Sequence, residues 1–319
     1  MSRPSTDSNY LANKNTGIKL EFFGEALPLA IVGFVGIICN SSICYITHKY
    51  RHKYSALGSK TAILLIMNSC FEILHESSHF LFLIVSASGI NFIPFKIAVI
   101  FQTPSLIGFF SMLVMFSSLS LDRLIAAAFP IYYKNLKKKH YIYCHASVLI
   151  IVSCFILYRM IYVAIQYPDW PVTGNIADTL AMISYDSTII NFLSSLHIRT
   201  IYEEDLQIYT YYNFCKYWFY ISGLMIATFL YHPLADSSTN PINLFLLQMF
   251  IMVIVNIGGA TNALILYLNS CDYRKAYKKE FNKIKHFVLF KCFGIQQQTS
   301  SIHVLPKIHN QIPSVVNPK

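Results

Sequence analysis

The chain of 319 residues is 55% hydrophobic and 13% charged, with a mean hydropathy of +0.46 and a net charge of +10. That composition excludes an ordinary soluble domain and points to a polytopic membrane protein. The basic residues stand in short clusters beside apolar runs, so they mark one membrane face and no nucleic-acid partner is expected. The eight cysteines show neither paired nor metal-ligand spacing; they read as packing residues, not as a disulfide framework.

Residues 1–25 are polar and no short apolar segment with a cleavage site precedes the first long one, so a removable signal peptide is not expected. A helix needs about 20 mostly apolar residues to cross about 30 Å of hydrocarbon. Four stretches meet this plainly: 26–46, 61–88, 93–121 and 141–165. Lys49, Arg51, Lys53 and Lys60 lie between the first two, and Lys134, Lys137, Lys138 and Lys139 between the third and fourth. Both loops are expected to be cytoplasmic and the N-terminus extracellular.

Farther on, only 211–232 and 242–268 are plainly apolar, yet Arg274, Lys275, Lys278, Lys279, Lys283, Lys285 and Lys291 call for a cytoplasmic C-terminus. One more crossing is needed, and 176–198 is the candidate. Its Asp178, Asp186 and Asn191 require a polar face buried in a bundle. The expectation is an all-α seven-transmembrane bundle over 26–268 and an amphipathic surface helix over 269–293, where Tyr273, Tyr277, Phe281 and Ile284 recur at near-helical spacing among lysines. Cys292 there is a candidate for a lipid chain. Residues 294–319 are polar and read as a disordered cytoplasmic tail.

Residues 121–133 read L-D-R-L-I-A-A-A-F-P-I-Y-Y. An Asp-Arg pair where an apolar helix meets water is costly to bury and asks for a functional reason. Asp122 can hold the guanidinium of Arg123 until a conformational change frees it. Pro130 ends or bends the helix, and Tyr133 follows.

The spacing of Asp122, Arg123, Pro130 and Tyr133 resembles the D-R-Y-x-x-x-x-x-P-x-x-Y segment of rhodopsin-like G-protein-coupled receptors, with Leu124 at the place of the tyrosine of the triplet. Asn40 matches that family's lone asparagine in the first span. Glu72, with Asn68 as runner-up, matches its acidic residue in the second. The run G-G-A-T-N-A-L-I-L-Y resembles its Asn-Pro-x-x-Tyr region through Asn262 and Tyr267, and the following S-x-x-Y-R-K-A-Y is similar to nematode serpentine chemoreceptors, in particular the Srsx class. The resemblance implies a plasma-membrane chemosensory receptor that couples a small-molecule or peptide ligand to a heterotrimeric G protein, with membrane lipid around it, no covalent chemistry and no cofactor. It implies coupling and switch roles for Asp122, Arg123, Pro130, Tyr133, Asn262 and Tyr267, and an internal ion or proton site at Asn40 and Glu72.

There are departures. Ala98 stands near the place of the family's cysteine at the outer end of the third helix, and residues 166–210 contain no cysteine, so the loop after the fourth span is expected to be less tethered. Leu264 replaces the proline after Asn262, and the sixth span, with Lys216 and Trp218, lacks the Trp-x-Pro kink.

His75-Glu76-Ser77-Ser78-His79 also matches H-E-x-x-H, in which two histidines one turn apart bind zinc and the glutamate activates water. An intramembrane zinc metalloprotease using His75 and His79 is the alternative, with Asp186, His232 or Asp236 as a third ligand. A non-signalling receptor remnant with a damaged fifth helix is another. In a receptor, Asn68, Glu72, His75, Glu76 and His79 share one inward face of the second helix at about 100° per residue. Glu76 and His79 then border the ligand cavity, or hold helices together by hydrogen bonds. Gln102 and Ser105 on the third helix, and residues 218–220 on the sixth, are further cavity candidates.

Overall fold

A computed structural model describes residues 8–184, 250, 253–254 and 256–293. The expected sixth span with Lys216 and Trp218, most of the fifth, the start of the seventh, the nominated zinc ligands Asp186, His232 and Asp236, and the tail 294–319 lie outside the described residues. The chain divides into two units, Met1–Tyr277 and Lys278–Lys319.

In the first unit a short helix α1 (Ser8–Asn13) precedes α2 (Leu20–Tyr50). The latter starts before the expected position 26, because the run L-E-F-F-G-E already continues the apolar periodicity. Among the described residues, three helices are long and apolar enough to cross a membrane: α2, α5 (Phe95–Ala128) and α7 (Lys138–Gln166). On α2, Ile31, Phe34 and Ile38 stay exposed, and on α7 Ile150, Ile151 and Ile165, as lipid contact requires.

The second expected span is two helices in sequence, α3 (Lys60–Glu76) and α4 (Ser78–Ala87). Ser77 between them keeps a helical backbone, φ −64° and ψ −22°. The interruption comes from hydroxyls: the His75 carbonyl accepts from Ser78 Oγ at 2.9 Å and from Ser105 Oγ of α5 at 2.7 Å. Serines that bond backbone acceptors in this way compete with the helical ladder. Ser59 caps the start of α3 by accepting from the Ala62 amide at 3.1 Å.

Helices α3 and α5 meet backbone to backbone. A Cβ added at Gly108 would come within 2.6 Å of the Phe71 carbonyl oxygen and 2.8 Å of the His75 nitrogen, so only glycine fits. Around this seam, Leu64, Leu65, Leu106, Phe110, Val114 and Met115 form the centre of the core with Leu149, Ile156 and Met160 of α7.

At the far end of α5 the chain stops at Ala128 and restarts at Pro130, the first residue of α6 (Pro130–Asn135). Proline there needs no N–H partner and forces the preceding Phe129 out of helical geometry. At the other end, strands β1 (Ile93–Pro94) and β2 (Pro171–Val172) pair antiparallel, with Ile93 opposite Val172 and Pro94 opposite Pro171. Next comes α8 (Ile176–Ser184), whose start is capped by Asn175 Oδ1 accepting from the Ala177 amide at 3.0 Å. The last helices are α9 (Asn262–Asn269), continuing helical residues 256–260, and α10 (Cys271–Phe293), which runs into the second unit. Arg274 Nε donates to the Tyr267 carbonyl at 3.2 Å and its Nη2 to that of Leu268, satisfying acceptors at the end of α9.

Candidate functional site

Among the described residues of the first unit, two buried polar clusters gather most of the residues singled out in the sequence. The first is built around Asp122, near the end of α5, which is fully buried. Its Oδ2 accepts from Thr61 Oγ1 of α3 at 2.7 Å, and its Oδ1 from Tyr133 of α6 at 2.8 Å and from Tyr141 of α7 at 2.6 Å. Four helices therefore converge on one carboxylate, and hydroxyl donors meet most of its acceptor capacity. Arg123 lies beside it with Nε 3.7 Å from Oδ2, and its side chain is 24% exposed. Sequence reasoning named Arg123 as the group that Asp122 holds. Here the hydroxyls make the short bonds and the guanidinium stands at the edge.

The surroundings are fixed as well. Lys60 Nζ donates to the Tyr133 carbonyl and sits 4.4 Å from the centre of that ring, while Lys138 Nζ donates to the Gly58 carbonyl at 2.9 Å. Burial and the Asp122 carboxylate both push the Tyr133 hydroxyl above its ordinary pKa, so it remains a donor. Tyr141 in turn stacks edge-on against His145 at 4.6 Å.

The second cluster joins α2, α3 and the helix of Asn262. Asn40 Nδ2 donates to the carbonyls of Gly36 at 3.1 Å and Gly259 at 3.2 Å, and Asn262 Nδ2 to Asn40 Oδ1 at 3.1 Å and Glu72 Oε1 at 3.5 Å. Three residues singled out in the sequence thus meet at Asn262, which bonds both Asn40 and Glu72. Glu76 and His79 are buried one turn and two turns beyond Glu72. His79 Nε2 lies 2.9 Å from Asn256 Oδ1 and 3.6 Å from Glu76 Oε2. Space for both carboxylates comes from missing side chains: a Cβ on Gly259 would meet Glu72 Oε2 at 2.5 Å and Glu76 Oε1 at 3.0 Å, and one on Gly36 would meet Glu76 Oε1 at 3.0 Å.

The H-E-x-x-H residues belong to this cluster. The rings of His75 and His79 are edge-on, 5.8 Å between centres, and His75 also packs on Phe109 at 5.1 Å. Among the described residues no three His, Cys, Asp or Glu side chains are grouped to hold a metal ion.

The family model described as serpentine type 7TM GPCR chemoreceptor Srsx matches residues 33–201, more than half of the 319 residues. The chain belongs to that family. No curated protein matches it. As an Srsx chemoreceptor it is a multi-pass membrane receptor, and the zinc-protease alternative finds no support in a receptor family.

The remaining named residues are placed as follows. Ser105 is the partner of the His75 carbonyl described above, and Gln102 bonds Gly174 and Thr179. Tyr267 packs edge-on against Tyr277, 6.1 Å between ring centres. Tyr277 donates to or accepts from Ser42 at 2.7 Å, Tyr273 bonds Thr47 at 2.8 Å, and burial pushes the Tyr277 hydroxyl up to about 12. Cys292 lies in α10. Three features of this Srsx chain escaped the sequence reading. Thr61 and Tyr141 could not be tied to Asp122 without the packing of α3 and α7 on α5. Gly259 was visible only as one of a G-G pair before Asn262. Arg159, an ionisable residue inside the fourth apolar run, was a signal passed over; it is buried, and its Nη2 donates to the Ile183 carbonyl at 3.0 Å.

Proposed function

We propose that this Srsx chemoreceptor couples a small ligand to a heterotrimeric G protein, from a seven-span bundle in the plasma membrane with its N-terminus outside and its C-terminus in the cytoplasm. The observation that carries this reading is the Asp122 cluster. A carboxylate with four converging helices around it, and an arginine at its rim, suits a resting state in which Arg123 is restrained and the crevice behind it is closed. A ligand that fits the open bundle better than the closed one shifts the population toward the open form, and that difference in affinity is the whole source of the signal. Arg123 then lines the opened crevice, Pro130 and Tyr133 meet the G protein, and Tyr267 steadies the open state.

Asn40 and Glu72 serve as the internal ion or proton site. Glu76 and His79 border the ligand cavity, with Ser105 of α5 bonded to the carbonyl of the neighbouring His75. The helix Cys271–Phe293 lies along the inner membrane surface, its apolar side chains Phe281, Ile284 and Phe287 exposed for lipid. Cys292 is a candidate for acylation there.

The test needs no ligand. In membranes from cells that carry the receptor with epitope tags at both ends, Asp122→Asn is expected to raise basal nucleotide exchange on added G protein several-fold. Arg123→Ala is expected to abolish it at unchanged surface expression. Exchange at the unsubstituted level in both variants would sink the coupling. Tags accessible on the same side of the membrane would sink the seven-span reading.

A further inference from the structure

The absence of the cysteine pair leaves the loop after the fourth span without that covalent tether, and the structure supplies non-covalent ones. Residues 167–175 are fastened at several points. Strand β2 pairs with β1, the Phe95 amide donates to the Trp170 carbonyl at 2.8 Å, and the Lys96 amide donates to the Pro168 carbonyl at 2.9 Å. Asn175 Nδ2 donates to Glu25 Oε1 of α2 at 2.9 Å. The Thr173 amide and hydroxyl both donate to Asp178 Oδ2, at 2.9 and 2.6 Å.

The deepest attachment is Gln102, fully buried on α5, seven residues in from its start at Phe95. Its amide nitrogen donates to the Gly174 carbonyl at 2.5 Å, and its amide oxygen accepts from the Thr179 hydroxyl of α8. One side chain therefore holds the loop with one end and the following helix with the other. Gly174 has φ +84°, and a Cβ there would come 3.3 Å from Val85 Cγ2, so the carbonyl reaches Gln102 through a turn that glycine alone adopts without strain.

We propose that Gln102 is the positioning residue that clasps the loop 167–175 to α5 and α8, doing without covalent chemistry the work of a disulfide that this chain lacks. A disulfide is permanent in an oxidising medium, whereas a pair of hydrogen bonds opens and closes on the timescale of local unfolding. The loop is thus fastened releasably to α5 and α8, and reducing agents do not affect the fastening. The ligand-facing role expected of Gln102 becomes indirect: it sets where the loop sits.

The test is hydrogen exchange of the purified full chain, read at the amides of 172–177 and, as a reference, at those of 56–62 near the Asp122 end. Gln102→Met keeps the length of the side chain and removes both bonds. Exchange at 172–177 is expected to rise about tenfold, with the reference amides unchanged. The unsubstituted chain should show the same protection with and without dithiothreitol.

A second variant restores the fastening by other means. Because Phe95 and Trp170 make a ladder bond, the adjacent Pro94 and Pro171 face each other at a position where neither N–H is needed, and where the Cα separation suits a disulfide. Pro94→Cys with Pro171→Cys, added to Gln102→Met, is expected to recover protection under oxidising conditions and to lose it again on reduction. Unchanged exchange in Gln102→Met, or an equal rise at the reference amides, would overturn the proposal.

Discussion

The two buried clusters solve the same problem differently. Around Asp122 a carboxylate is kept by reach: hydroxyls arrive from three other helices and bond it one by one. Around Glu72 and Glu76 the carboxylates are kept by vacancy, in room left by Gly36 and Gly259, with the amides of Asn40 and Asn262 alongside. A site built by reach can be undone bond by bond. One built by vacancy is disturbed by an added atom to the degree that the opposing atoms cannot move aside, and this difference sets the scale of what substitutions should do.

The largest effect is expected on the seam beside the second cluster. Gly108→Ala sets a methyl against the Phe71 carbonyl and the His75 nitrogen, backbone atoms that cannot turn aside. Overpacking of that kind costs about 3 kcal/mol, and thermal unfolding in lipid discs, or loss of surface expression, reads it out. Gly259→Ala is expected to cost less, about 1 kcal/mol, because the opposing atoms are carboxylate ends that can swing. The same unfolding series checks it, and a cost equal to that of Gly108→Ala would show the carboxylates to be held as firmly as backbone. The smallest change is expected at the first cluster. Tyr141→Phe removes one of the donors to Asp122 and should cost about 0.5 kcal/mol of stability, because the Tyr133 hydroxyl still serves the same oxygen. Combining it with Tyr133→Phe tests whether the hydroxyls act singly, since an additive double variant would contradict bonds that share the oxygen Oδ1.

What was legible in the sequence follows the same division. The apolar runs gave α2, α5 and α7, since length and composition are local properties. The break at Ser77 was not legible, because it depends on Ser105 reaching across from another helix to the His75 carbonyl. Asn40, Glu72 and Asn262 were selected by their places in motifs, and their contact is a tertiary fact that spacing alone cannot supply. The non-covalent fastening of the loop 167–175 was not legible for a related reason. Cysteines announce a tether by their identity, whereas Gln102 announces nothing until Gly174 and Thr179 are beside it.

Gly108 bears also on how the molecule can move. Packed helices slide past one another by letting a layer of side chains between them change rotamers. At Gly108 there is no such layer, since the backbone of α5 lies against that of α3. These two helices are therefore the frame against which any shift is measured. Among the described residues, α6 and α7 are held to this frame through hydroxyl bonds of Tyr133 and Tyr141 that can be exchanged for water.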